Sequence, residues 1–286
     1  MTAPGIREKA RAFEALHERG ATFVLPNPWD IGSAKILAAL GFEALATTSA
    51  GYAFSRGRVD WVGEIGRDEA LEHAREIVDA TSLPVSADLE NGFGDSPEAV
   101  AETIRQAAAV GLVGCTIEDT TGDPDNPIYD SSLAIERIAA GVEAAAGLDH
   151  RFMLTARAEN YLHDRPDFDD TLERLTGYER VGADVLYAPG LPDLAAIRRV
   201  CSAVGKPVNV LAGIGLEGVT LAELHDAGVR RVSVGSALAR TALGAMIGAA
   251  REIRSNGTFG AFQSAATFAE IESLIKSSGS DDAAKL

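Results

Sequence analysis

The chain has 286 residues, and 26 Lys and Arg set against 42 Asp and Glu leave a formal charge of −16 with histidine neutral. That balance argues against nucleic acid, where clustered bases must neutralise phosphates, yet permits a small anionic ligand, because one arginine or a metal reverses the sign inside a pocket. Hydrophobic residues at 46% suffice for a buried core and rule out disorder for the bulk of the chain, while the length suits either two domains of about 150 residues or one α/β barrel of roughly 250.

The N-terminus, MTAPGIREKARAFEALHERG, reads as a charged helix without the apolar run of a signal peptide. Beyond it, eight short apolar runs are expected to be strands: residues 23–28, 44–49, 84–90, 114–119, 152–159, 185–189, 207–211 and 231–236. Stretches of helical period separate them, as in SPEAVAETIRQAAAVG, where Ser96 or Asp95 can cap and Pro97 fits the first turn. Gly41, Gly111, Gly182 and Gly228 each stand where a helix ends in a left-handed residue before the next strand. Alternating strands and helices imply parallel βαβ units, and eight of them imply a TIM (β/α)8 barrel over residues 1–255, followed by a C-terminal helical extension and tail over 256–286. The weakly polar stretch 241–250 lies between Arg240 and Arg251 and is too short to span a bilayer. Two cysteines, Cys115 and Cys201, offer neither a disulfide framework nor zinc spacing. A reduced cytoplasmic protein without a membrane partner is expected.

The predicted strands end in polar residues: Asn27 with Asp30, Thr48 with Ser49, Asp88 with Glu90, Glu118 with Asp119, Arg157 with Glu159, then Asn209 and Ser236. In a parallel barrel these ends share the face where active sites are built, although an open doubly wound sheet would also gather them along one edge. Asp88, Glu90 and Glu118, with Asp60 nearby, would repel one another unless a cation sat among them, and Mg²⁺ is the ion that prefers oxygen donors and retained waters. The alternative is that these acids cap helices or pair with bases. Arg157 is the one strand-end cation, suited to fork onto a substrate carboxylate or to neutralise Glu118 or Glu159. Asn209 is either a donor to a substrate carboxylate or a satisfied barrel amide. Of the five histidines only His163 is placed to face the site, and Cys115 reads as core. The glycine-rich stretches at 212–215 and 234–236 would suit a phosphate-binding barrel instead.

Six segments, LPNPWDIGSA, TTSAG followed by VDW, SADLENGFG, TIED, LTARAEN and PVNV, together resemble the isocitrate lyase/phosphoenolpyruvate mutase superfamily, from about residue 23 to 237. The resemblance implies a barrel whose last helix is swapped between subunits of a homotetramer or dimer, Mg²⁺ as cofactor, and a small-molecule 2-oxo carboxylate or phosphonate handled through an enolate. It implies Asp88 as the direct metal ligand with Asp60, Glu90 and Glu118 reached through water. Ser49, Ala50 and Gly51 would hold the substrate, Arg157 its carboxylate, and Asn209 the far side; the catalytic group would be Ser49, Arg157, Glu118 and Asn126 of the gating loop. The departures are informative. That loop, TTGDPDNPIYD, lacks the cysteine and the basic residues of the lyases, so isocitrate and methylisocitrate cleavage are not expected. It also lacks the mutase's lysine, and Gly190 stands where relatives have a His or Glu. These features leave two further readings: a relative that binds a 2-oxo acid without turning it over, and a phosphate-binding barrel enzyme.

Overall fold

The computed structural model describes residues 5–60, 63–213 and 215–277. Eight parallel strands are present: β1 Phe23–Leu25, β2 Leu45–Ala46, β3 Val85–Asp88, β4 Gly114–Glu118, β5 Met153–Arg157, β6 Val185–Tyr187, β7 Val208–Leu211 and β8 Arg231–Ser233. They pair in the order β1-β8-β7-β6-β5-β4-β3-β2. The remaining seam is bridged by the Ala46 amide donating to the Pro26 carbonyl at 3.0 Å. Sequential parallel pairing around a nearly closed ring makes this a TIM-type barrel and removes the doubly wound sheet from consideration.

The helices are α1 Ile6–Glu18, α2 Ile31–Ala39, α3 Ser49–Ser55, α4 Arg67–Ala80, α5 Pro97–Ala109, α6 Ser131–Ala146, α7 Phe168–Arg180, α8 Leu194–Ala203, α9 Leu221–Asp226, α10 Ala237–Asn256 and α11 Phe268–Ser277, with a 3₁₀ turn at Asn160–His163. Gly41, Gly111, Gly182 and Gly228 all adopt positive φ, between 86° and 104°, as their position before each strand requires. Ser96 caps α5 by accepting from the Ala99 amide, with Pro97 in the first turn. α1 closes the floor of the barrel: its Ala10, Phe13 and Leu16 are buried in one cluster with Phe23, Leu25, Val113 and Met153. Each large apolar side chain so buried contributes about 1.5–3 kcal/mol.

The strands are shorter than the apolar runs. β2 keeps two residues, and Ser49, expected at its end, instead opens α3. Glu90, Asp119 and Glu159 likewise lie just past their strands, where loops rather than the pleat aim them. The C-terminal part is the least covered by its own chain. Of α10's 20 residues only Ala239 is buried, and Met246 is 59% exposed. α11 returns to pack on α2, and Phe259 and Phe268 stay exposed. Residues 278–286, the end of the extension and tail expected over 256–286, fall outside the described residues. Among those described, no helix is long and apolar enough to cross a membrane.

Candidate active site

Alternation along the strands places polar side chains in two interior tiers. Ser86 and Asp88 on β3, Thr116 and Glu118 on β4, and Thr155 and Arg157 on β5 each stand two residues apart and so point to the same side. Register then sets Glu118 beside Arg157, Arg157 beside Tyr187, Tyr187 beside Asn209, and Asn209 beside Arg231. Above this row lies a cavity of about 200 Å³ lined by Ser49, Asp60, Glu90, Glu118, Arg157, Glu159, Leu162 and His163, together with Thr120, Gly122, Asp123 and Pro127 of the loop after β4. A second cavity, of about 210 Å³, shares Ser49, Asp60, Arg157 and Leu162 and runs down past Asp88 and Thr116 to Asn209 and Arg231.

Asp88 lines the second of these. It accepts from Ser49 Oγ at 2.9 Å, Thr116 Oγ1 at 3.2 Å and Arg157 Nη1 at 2.9 Å. Arg157 is held by three acids: Nη1 lies 2.9 Å from Asp88 and 3.0 Å from Glu118, and Nε lies 2.8 Å from Glu159. Tyr187 packs its ring 5.2 Å below the guanidinium. Nε and Nη1 thus hydrogen-bond to Glu159 and Asp88, Glu118 is a further ion-pair partner of Nη1, and Nη2 has no hydrogen-bond partner among the described residues. Glu118 also accepts from Thr120 Oγ1 at 2.6 Å.

The remaining acids are crowded rather than paired. Glu90 is buried with φ of +47°, a left-handed conformation that costs a non-glycine residue about 1 kcal/mol or more. Its Oε2 is buried without a partner. Burial first, then Asp88, Glu118 and Asp60, push its carboxyl up to about 8. Asp60 is exposed as a residue, but its carboxyl is hemmed in by protein, and that enclosure with Asp88 and Glu118 pushes it up to about 6. Burial also raises Glu118 and Glu159, and Arg157 pulls both back. Among the described residues no three acidic, His or Cys side chains converge as a ready-made cage. The Asp88 carboxylate, an orphaned Glu90 oxygen and further acids at a remove have the oxygen-donor chemistry that fits an ion keeping several waters, such as Mg²⁺.

Ser49, Ala50, Asp60, Asp88, Glu90, Glu118, Arg157 and Asn209 all line one cavity or the other, as does His163. Three other expected residues are elsewhere. Gly51 lines neither cavity and gives its amide to Thr48 Oγ1 as part of the α3 cap. Asn126 is exposed on the loop after β4 and lines neither cavity. Asp30 caps α2, accepting from the Ser33 amide at 2.7 Å. Asp119, next to Glu118 and so facing the other way, is an anchor: it takes Arg174 Nη1 at 3.0 Å, the Tyr178 hydroxyl at 2.8 Å and the Glu159 amide at 2.9 Å. Asn209 is satisfied inside the barrel by Arg231 Nε at Oδ1 and by donating to Ser233 Oγ, both at 2.9 Å.

The phosphate-binding reading meets a direct obstacle. The Val234 and Gly235 amides, which a phosphate would need, are taken by Asn27 Oδ1 at 3.0 and 2.9 Å. The 212–215 turn includes residue 214, outside the described set. Gly190 also has a physical reason. Its φ is +81°, and a Cβ there would meet Leu162 Cδ2 at 3.0 Å and Tyr161 Cβ at 3.1 Å, so the 3₁₀ turn occupies the space a side chain would need. That turn instead brings Leu162 and His163 to the cavity. Sequence reasoning missed Thr116, Thr120 and Tyr187; the period-two polar pattern inside strands expected to be apolar on both faces was the available signal for Thr116.

The geometry agrees with what the chain resembles. The sequence profile of the phosphoenolpyruvate phosphomutase family matches residues 13–254. A crystal structure from Burkholderia cenocepacia J2315, provisionally described as a lyase/mutase, superposes with a TM-score of 0.92 at 55% identity, covering 95% of this chain and 97% of that one. The 2-methylisocitrate lyase of Escherichia coli K12 is 30% identical over 186 residues, 63% of this chain and 61% of its own length. A phosphonopyruvate hydrolase, in complex with oxalate and Mg²⁺, shares the fold at a TM-score of 0.81 and 24% identity, covering 93% and 94% of the two chains. This chain is therefore a member of the phosphoenolpyruvate phosphomutase family.

Proposed function

We propose that the chain is a Mg²⁺-dependent enzyme that makes or breaks a C–C or C–P bond in a small 2-oxo acid or its phosphonate through an enolate. The observation that carries this reading is Arg157, bonded to Asp88 through Nη1 and with Nη2 unpartnered among the described residues, in a cavity also lined by Asp60, Glu90 and Glu118. Asp88 would hold the ion directly, and Asp60, Glu90 and Glu118 would hold its waters. Bound Mg²⁺ supplies fixed positive charge where the enolate oxygen develops negative charge. Arg157 Nη2 donates a charge-assisted hydrogen bond to the substrate carboxylate. Ser49 Oγ turns from Asp88 to the substrate oxygen, with the Ala50 amide beside it. Asn209 acts from the far side by holding Arg231 and Ser233, and Asn126 reaches substrate only with the 120–130 loop closed over the cavity.

Isocitrate and methylisocitrate cleavage remain outside this proposal, because the 120–130 loop carries no thiol and no base. That exclusion is ours, since a 2-methylisocitrate lyase is among the relatives. The exposed apolar face of α10 with the segment beyond residue 255 supports an exchange of the last helix between subunits of a dimer or tetramer. The free thiols of Cys115 and Cys201 suit a reducing cytoplasm. Replacement Asp88→Ala tests the function: calorimetric Mg²⁺ binding and turnover of 2-oxo acids should both disappear. A variant that stays active without Mg²⁺ would refute it.

A further inference from the structure

The barrel interior holds a second cation, and no carboxylate answers its charge. Arg231 opens β8 with its side chain in the second cavity, where TIM barrels ordinarily stack branched aliphatic residues, and it is 1% exposed. Its partners are neutral. Nε donates to Asn209 Oδ1 at 2.9 Å and Nη2 to Thr155 Oγ1 at 3.0 Å, while Nη1 is buried without a partner. No Asp or Glu among the described residues forms an ion pair with it, whereas Arg157 has three. The acids that line the same cavity belong with Arg157: Asp88 is paired with it, and Asp60 lies close enough to feel the charges of Asp88, Glu118 and Arg157. Burial lowers Arg231 only to about 10, so the guanidinium stays charged at neutral pH. An unanswered charge at this depth is strongly unfavourable.

The walls supply further donors. Thr47 and Ser86 line the same cavity of about 210 Å³. Thr47 Oγ1 accepts from the Asp88 amide and Thr155 Oγ1 accepts from Arg231, so each hydroxyl has a proton left to give. Ser86 is 1% exposed, and its hydroxyl has no partner among the described residues. Water would accept such bonds and leave the charge standing. A small anion accepts them and cancels it.

We propose that the lower barrel binds one small monovalent anion of the chloride class at Arg231 Nη1, with the Thr47 and Ser86 hydroxyls on the surrounding wall. The anion neutralises Arg231 and so steadies the guanidinium that holds Asn209 and Thr155. The site needs neither Mg²⁺ nor a 2-oxo acid, and it stands or falls apart from the proposed function.

Two measurements on the full chain, both with a chelator and without any oxo acid, test it. Wild-type crystals soaked in bromide should show an anomalous peak in contact with Arg231 Nη1. Thermal unfolding is then followed at constant ionic strength as chloride replaces gluconate, an anion too bulky to seat against a buried guanidinium. Above the dissociation constant, each tenfold rise in chloride should raise the wild-type folding constant about tenfold, or its melting temperature by about 3–6 °C. R231Q should show no such dependence. Water alone at Nη1, bromide found only at Arg157 or on the surface, or an equal chloride dependence in wild type and R231Q overturns the inference. If R231Q does not fold, the bromide position in the wild type decides.

Discussion

Replacing Arg157 with methionine removes a cation and leaves its neighbours in place. The side chains of Arg157, Glu118 and Glu159 are 12%, 12% and 3% exposed, so the acids left behind are uncompensated in a poorly hydrated pocket. Breaking a buried pair in this way costs about 3–5 kcal/mol. At roughly 2–4 °C per kcal/mol for a chain of this size class, the melting temperature should fall by about 6–20 °C. The loss has a pH signature. Burial raises Glu118 and Glu159, Arg157 opposes that rise, and its removal raises both further. The folded variant then binds more protons than the unfolded chain, so its stability is greatest below the ordinary carboxylate range and declines as pH rises through the raised values. Thermal unfolding of both proteins at pH 5.5 and pH 8 should therefore show a larger deficit at pH 8. Millimolar Mg²⁺ should restore part of it by supplying the missing charge. A variant within about 2 °C of the wild type at both pH values would refute the three-acid account of Arg157.

Elsewhere, His17 sits between the rings of Phe13 and Phe23 at 4.9 Å, and burial followed by Arg231 lowers it to about 3. Its folded value lies below its unfolded one, so stability falls as pH drops below about 6.5. From pH 7.5 to 5 this group alone should remove about 2 kcal/mol, a loss that H17L escapes. Denaturant titrations at the two pH values check this, and equal losses in both proteins would contradict it. Gly190→Ala should cost about 1–3 kcal/mol from its positive φ and the contacts with Tyr161 and Leu162. It should lower turnover more than the stability loss explains, because the 3₁₀ turn carrying His163 must shift. Unchanged kinetics in a folded G190A protein would separate the turn from the site.

The barrel was legible because each of its signals is local: apolar runs of strand length, glycines ending helices, and Pro97 behind Ser96. The acids and Arg157 were legible as polar residues at strand ends, where parallel topology gathers them. What sequence could not supply was direction. Glu118 and Asp119 are neighbours, yet one faces the cavity and the other anchors Arg174, Tyr178 and the Glu159 amide. Asn27 and Asp30 also looked like strand-end site residues; Asp30 is spent on the α2 cap, and Asn27, though it lines the second cavity, holds the β8 loop. Arg157 was posed as either a substrate fork or an ion-pair partner. The structure shows the ion-pair role, with Asp88, Glu118 and Glu159 around it, and the substrate role belongs to the proposal above. Glu90 depends on a left-handed backbone that no residue pattern announces, since glycine rather than glutamate is the usual occupant of that region.

The most direct test of the central claim is oxalate binding with and without Mg²⁺, followed by thermal shift in the wild type and in Asp88→Ala. Oxalate has the shape and charge of a pyruvate enolate, and a ligand stabilises the fold in proportion to how far its concentration exceeds its dissociation constant. At about 100 times that constant the stabilisation should be about 2.7 kcal/mol. The account predicts this shift for the wild type only when Mg²⁺ is present, and no shift for Asp88→Ala under either condition. Stabilisation by oxalate in the absence of Mg²⁺, or undiminished in Asp88→Ala, would contradict it.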